Sequence, residues 1–158
     1  MATTTTNETN PGGARQQLNE TKIRQMVEKW YQLLDVHAPE TDLLPLLSDA
    51  GLEMKLPEGP VNGLDGFRRW YQTVTHAFFD EKHVLKEVNV KLSDDRADVD
   101  IVVDWQAKRW RPPAAKSEAL DFVAAQRWVV VPSAPMGEPV ILTYIVDSLT
   151  PLPGSPPL

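Results

Sequence analysis

Cysteine is absent from this chain of 158 residues. Disulfide staples, thiolate nucleophiles and cysteine-ligated metals are excluded together, and the composition fits a cytoplasmic protein. Histidine is scarce, with three copies at positions 37, 76 and 83. Their spacing is not that of a ligand set, so no metal and no other cofactor are expected. Positive charge is in deficit: 16 Lys and Arg against 22 Asp and Glu leave a net charge of −6. That balance disfavours contact with nucleic acid. The one basic-aromatic cluster, Lys108-Arg-Trp-Arg111, reads as a strand end or loop. No apolar run approaches the roughly 20 residues of a membrane helix, and no membrane contact is expected. The opening Met1-Ala-Thr-Thr-Thr-Thr-Asn-Glu lacks the basic and apolar regions of a signal peptide. A Gly-rich phosphate loop, a serine nucleophile elbow and an HExxH helix are also missing.

What is present sorts into one domain between two tails. Residues 1–17 carry almost nothing apolar and read as a disordered tail; residues 151–158 are Pro-rich and read as extended. Between them, 18–150 forms the domain. A first helix is predicted over 19–36, capped by Asn19 and ended by Pro39, with Ile23, Met26, Val27, Trp30, Leu33, Leu34 and His37 on one stripe. A short helix over 40–48 is broken by Pro45. Leu52–Leu56 alternates as a strand and is ended by Pro57, Gly59 and Pro60. A third helix starts at Asn62, with Asp65 as a variant capping box, and buries Leu64, Phe67, Trp70, Tyr71, Val74, Ala77 and Phe78.

From Asp80 onward the pattern is strand-like, over 82–92, 97–110, 118–131 and 139–149, with short links that favour antiparallel neighbours. Helices first and a meander afterwards give α+β: a curved antiparallel sheet wrapped around helices. One strand breaks its own parity. His83 and Leu85 share one face, and Val88, Val90 and Leu92 share the other. A β-bulge near Lys86-Glu87 would bring all five to one side.

Three phrases carry a family resemblance across residues 20–150. They are Leu34-Asp-Val-His37 before a Leu-rich helix, Glu53-Met-Lys-Leu-Pro57 leading to Gly63-Leu-Asp-Gly-Phe-Arg-Arg-Trp-Tyr71, and Asp80-Glu-Lys-His83. Together they resemble the nuclear transport factor two-like, or SnoaL-like, superfamily, a cystatin-like α+β barrel. The resemblance implies a hydrophobic pocket but not one chemistry, because that superfamily holds enzymes and binding modules alike. Ketosteroid isomerases place a basic Asp before the Pro of the first strand; here Leu56 precedes Pro57. Scytalone dehydratase-like members carry an Asp late in the first helix and a His after the third, as Asp35 and His83 stand here. Their second His falls near Val103.

His83 is the first candidate acid/base, because imidazole exchanges protons near neutral pH; the bland alternative is a hydrogen-bonded His at a strand start. His37, two residues from Asp35, is oriented by that carboxylate or simply complements a helix dipole. His76 falls on a polar face. Tyr71 completes the catalytic candidates. Trp30, Phe67, Trp105, Trp128 and Tyr144 are candidate ligand-binding residues, against plain core packing as the alternative. Asp104 falls on the outer face of its strand. The strand over 139–149 is apolar on both faces, which predicts a covered outer face and a homodimer through the sheet. The expected function is binding of a small apolar organic ligand. As an enzyme, the chain would be a cofactor-free dehydratase, isomerase or cyclase; the alternative is a non-catalytic dimeric accessory module.

Overall fold

The computed structural model describes residues 18–134 and 137–158. The expected N-terminal tail, and residues 135 and 136 of the break at 133–137, lie outside the described residues.

Helix α1 (Glu20–Asp35) begins where the Asn19 side chain accepts the Lys22 N–H at 2.8 Å. That bond satisfies one of the free donors of the first turn. Its stripe of Ile23, Met26, Val27, Trp30, Tyr31 and Leu34 is buried, each large side chain contributing roughly 1.5–3 kcal/mol. The helix ends at Val36. His37 then takes a left-handed conformation, φ 51°, and its N–H donates to Leu34 O at 3.1 Å. His37 therefore leaves the core stripe on which periodicity placed it.

Helix α2 (Glu40–Leu43) stops at Pro45, and a single 3₁₀ turn (Leu44–Leu46) follows. Strand β1 (Glu53–Leu56) does not end at the Pro-Gly-Pro phrase. It turns there and pairs with a short antiparallel strand, β2 (Gly59–Asn62). Proline is tolerated in β2 because the strand lies at the sheet edge. Helix α3 (Gly63–Ala77) begins after Asn62, whose side chain makes no cap bond. The expected capping box is not formed: Asp65 Oδ1 accepts instead from Arg68 Nη1 at 2.8 Å.

Four long strands complete the sheet: β3 (Phe79–Leu92), β4 (Ala97–Arg109), β5 (Glu118–Pro132) and β6 (Pro139–Pro151). The order is β2-β1-β6-β5-β4-β3. The long strands are antiparallel neighbours, while β1 joins β6 in parallel, an exception to the all-antiparallel expectation. The α+β class and the sheet wrapped around helices agree with the sequence. The sheet is not closed into a barrel, since β2 and β3 remain edges.

Two register shifts shape β3. One skips Lys86, between Leu85 and Glu87. It brings His83, Leu85, Val88 and Val90 to the core side, as the parity break predicts. The other sets Asp80 and Glu81 against Ala107 alone, between the Phe79–Lys108 and Lys82–Gln106 pairs. Further shifts occur along the β5–β6 pair. The core lies between the sheet's inner face and the helices, and Trp30, Phe67 and Trp128 are fully buried in it.

Candidate active site

The end of α1 and the start of β3 run side by side, and two carboxylate–imidazole pairs cross between them. His83 Nδ1 lies 2.6 Å from Asp35 Oδ1. His37 Nε2 meets Glu81 Oε2. The end of α1 and the turn after it supply Asp35 and His37; β3 supplies Glu81 and His83, whose two-residue spacing puts both on one side of that strand. The pairing of His37 with Asp35, suggested by their spacing, does not form: the left-handed turn at His37 swings its ring away, and Asp35 takes His83 instead. Asp80 is also left-handed, φ 51°. Among the described residues, His37 and Asp80 alone adopt positive φ without being glycine. Each adjoins or belongs to a crossed pair, where strain commonly collects in functional sites.

The Asp35–His83 pair is the more enclosed on its imidazole side. The His83 side chain is 9% exposed and the Asp35 side chain 24%. A carboxylate at Nδ1 fixes the Nδ1–H tautomer and leaves the Nε2 lone pair as the free base. The Tyr31 ring lies against the imidazole, centroids 4.8 Å apart. No three His, Asp or Glu side chains among the described residues are grouped so as to hold a metal ion.

His83 faces a cavity of about 100 Å³. Its walls are apolar for the most part: Leu34, Leu56, Val103, Ala124, Val146 and Leu149. Four aromatic rings, Trp70, Phe78, Trp105 and Tyr144, complete them. The polar groups are few: His83, Glu81, Gln126, Glu58 and the Tyr144 hydroxyl. Leu56 and Val103 both stand in the wall, where related enzymes of the resemblance place an Asp and a second His. The chain thus has apolar surface at both positions.

Glu81 was not singled out from sequence. Its side chain is 11% exposed, and its Oε1 accepts the Trp105 indole N–H at 3.0 Å. The signal was available in its parity with His83, two residues on. Gln126 was missed too, as the one polar side chain in the inward series Leu120, Phe122, Ala124, Gln126, Trp128. Its Oε1 accepts from Tyr31 Oη at 2.8 Å and from Trp128 Nε1 at 3.1 Å. Two buried donors that would otherwise cost about 1–3 kcal/mol each are satisfied by one amide.

The remaining candidates divide. Trp105 and Tyr144 line the cavity; Trp30, Phe67 and Trp128 lie behind it in the core. His37 is 28% exposed and stands outside the wall, joined to it through Glu81. Tyr71 is also outside. It stacks on Phe67, and its hydroxyl donates to Ala38 O at 2.6 Å, pinning the loop after α1. Burial, helped by the charges of Glu81 and Asp42, pushes its phenol up to about 12. Burial does the same to Tyr144, also to about 12. Both phenols are neutral donors at physiological pH. His76 is exposed and bonds Gln72 O within its own helix.

The segment after β6 is fastened to β5 and β4. Leu152 N–H donates to Asp121 O, Ser155 Oγ accepts the Asp121 N–H, and Arg109 Nη2 donates to Pro157 O at 2.6 Å. Leu158 then contributes to the cavity wall.

Neither a protein-family model nor a curated protein matches the sequence. Solved structures do. A scytalone dehydratase-like protein from Novosphingobium aromaticivorans has a TM-score of 0.68 at 17% identity, covering 84% of this chain and 86% of that one. A hexachlorocyclohexane dehydrochlorinase, LinA type 2, has a TM-score of 0.69 at 15% identity, covering 87% and 93%. A nuclear transport factor 2-like superfamily protein from Salmonella enterica has a TM-score of 0.68 at 13% identity, covering 92% and 96%. Likeness at such identities is likeness of fold: this chain has the nuclear transport factor 2-like, SnoaL-like α+β fold.

Proposed function

We propose that the chain is a small-molecule enzyme that moves protons without a cofactor, with His83 as its general base. The Asp35–His83 bond of 2.6 Å beside a largely apolar cavity carries this reading. Asp35 holds the tautomer and stabilises the imidazolium that forms when Nε2 takes a proton. The apolar wall keeps water from competing for that proton. The chemistry that fits is removal of a proton from an activated carbon, followed by loss of a leaving group, isomerisation or ring closure. Two of the structural neighbours are described as a dehydratase-like protein and a dehydrochlorinase, and both names denote eliminations. Tyr144 and Gln126 would orient the ligand, while Tyr71 and the His37–Glu81 pair would hold the wall in place.

Turnover of a panel of dehydratable, dehydrohalogenatable and enolisable compounds tests the reading. His83→Ala should abolish it, and Asp35→Asn should lower kcat by about 10²–10⁴-fold. Equal turnover by wild type and His83→Ala would remove His83 from the mechanism.

The same reading includes a homodimer through the outer face of the sheet, where Val102, Val123, Val129 and Ile145 are only half-buried. Sedimentation should then give a dimer at micromolar concentration, and a monomer there would sink it. Among the described residues no helix is long and apolar enough to cross a membrane, and the cysteine-free composition suits a reducing compartment such as the cytoplasm.

A further inference from the structure

Two indole–carboxylate couples are built into the cavity wall. Trp105 Nε1 donates to Glu81 Oε1 at 3.0 Å, and Trp70 Nε1 donates to Glu58 Oε1 at 3.2 Å. An indole N–H lies in the ring plane, so each carboxylate sits at a ring edge rather than on a π-face; Phe78 and Phe122 pack against Trp105, and Phe67 against Trp70. All four residues line the cavity, together with the Phe78 and Tyr144 rings. No lysine or arginine lines it.

The charge balance of this wall has one sign. Glu81 uses two of the roughly four acceptor positions a carboxylate offers, one on Trp105 and one on His37. Glu58, at the mouth, uses one on Trp70. Asp35 adds a third carboxylate behind His83. Arg109 and Arg111 line a separate groove that shares its Pro57, Glu58, Val74, Phe78 and Leu158 edge with the cavity, and Arg69 lines another that shares Glu58 and Trp70 with it. Arg109 is already bound to Glu118 Oε1 at 2.8 Å and to Pro157 O. A carboxylate or phosphate ligand would enter a largely apolar space against like charge. A neutral hydrocarbon would leave the remaining acceptor positions of Glu81 without donors. A small ammonium ion meets both demands: its N–H groups reach the carboxylate, and its charge and methylene groups lie against aromatic faces.

We infer that the cavity selects a small primary amine in its protonated form, with Glu81 as the anchor and Trp70 and Trp105 as the aromatic walls. The inference rests on the cavity being the ligand site. It names a substrate class, a carbon skeleton of a few atoms bearing an ammonium group, whose C–H bond is presented to His83. Glu81 is then a specificity-determining residue, and its partner His37 a positioning residue that holds the carboxylate at the wall.

The test compares three isosteric probes against the full chain at pH 7: isobutylammonium, isobutanol and isobutyrate. Titration is followed by NMR of the Trp indole N–H signals. Isobutylammonium should bind at least about tenfold more tightly than isobutanol, shifting the Trp105 and Trp70 signals, and isobutyrate should not bind. Glu81→Gln should remove that preference while leaving isobutanol affinity unchanged. Glu58→Gln, an exposed change that leaves the core intact, should weaken the ammonium alone by a few-fold. Isobutanol or isobutyrate binding as well as the ammonium, or an ammonium preference that survives both substitutions, would overturn the inference. His83→Ala separates this result from the enzyme reading. It should retain ammonium binding and lose turnover, so loss of the amine preference and loss of the His83 role are read on different variants.

Discussion

At the scale of single residues, the site and the sheet's outer face treat carboxylates in opposite ways. Inside, each acid has a donor: Asp35 has His83, and Glu81 has His37 and Trp105. Outside, Asp104 and Asp121 face each other across β4 and β5, and each keeps a buried oxygen with no protein donor. Two ionised carboxylates have no proton to share, whereas one protonated carboxyl would bond the other. Hydrogen bonding to Asp104, then burial, therefore raises the Asp121 carboxyl above its ordinary range. For a folded-state pKa raised above an unfolded value near 3.9, the stabilisation is complete at low pH and is lost as pH rises through the raised value. Asp121→Asn escapes that loss. The variant should melt higher than wild type at pH 8, and the gain should vanish at pH 3, as thermal melts at the two pH values would report.

At the scale of elements, most of what periodicity can report was readable. The α1 stripe, α3 and the four long strands follow from local spacing, and so does the bulge at Lys86, because a parity break within one strand is itself a local signal. Three things were not readable, for one physical reason. The β1–β2 hairpin, the parallel β1–β6 pair and the partner of Asp35 are contacts between segments, and a spacing rule ranks only neighbours in sequence. Hence Asp35 was matched with His37, two residues away, when its partner is His83. The bulge offers a test at this scale. Deleting Lys86 would remove the extra residue, and strict alternation alone would then keep His83, Leu85, Val88 and Val90 on one side. The cavity and the core would keep the same side chains of β3. The deletion should therefore keep cooperative unfolding and the near-UV circular dichroism of the wild type; loss of both would contradict this account.

At the scale of the whole molecule, an open sheet and two packed helices leave the inner end of β3 to be fastened by side chains rather than by a closing strand. The crossed pairs are that fastening. Their sequence separations are 48 and 44 residues, so both close long loops of chain. Contacts of this kind gain nothing until the intervening backbone has been ordered, and they belong to the late part of folding. The proposed base therefore has no existence in a partly folded chain: the tautomer of His83 is fixed only when β3 has docked against α1. In a refolding experiment, catalytic competence should return with the slowest phase of native fluorescence and never with the faster recovery of helical signal. Activity would then serve as a clock for the last step of assembly.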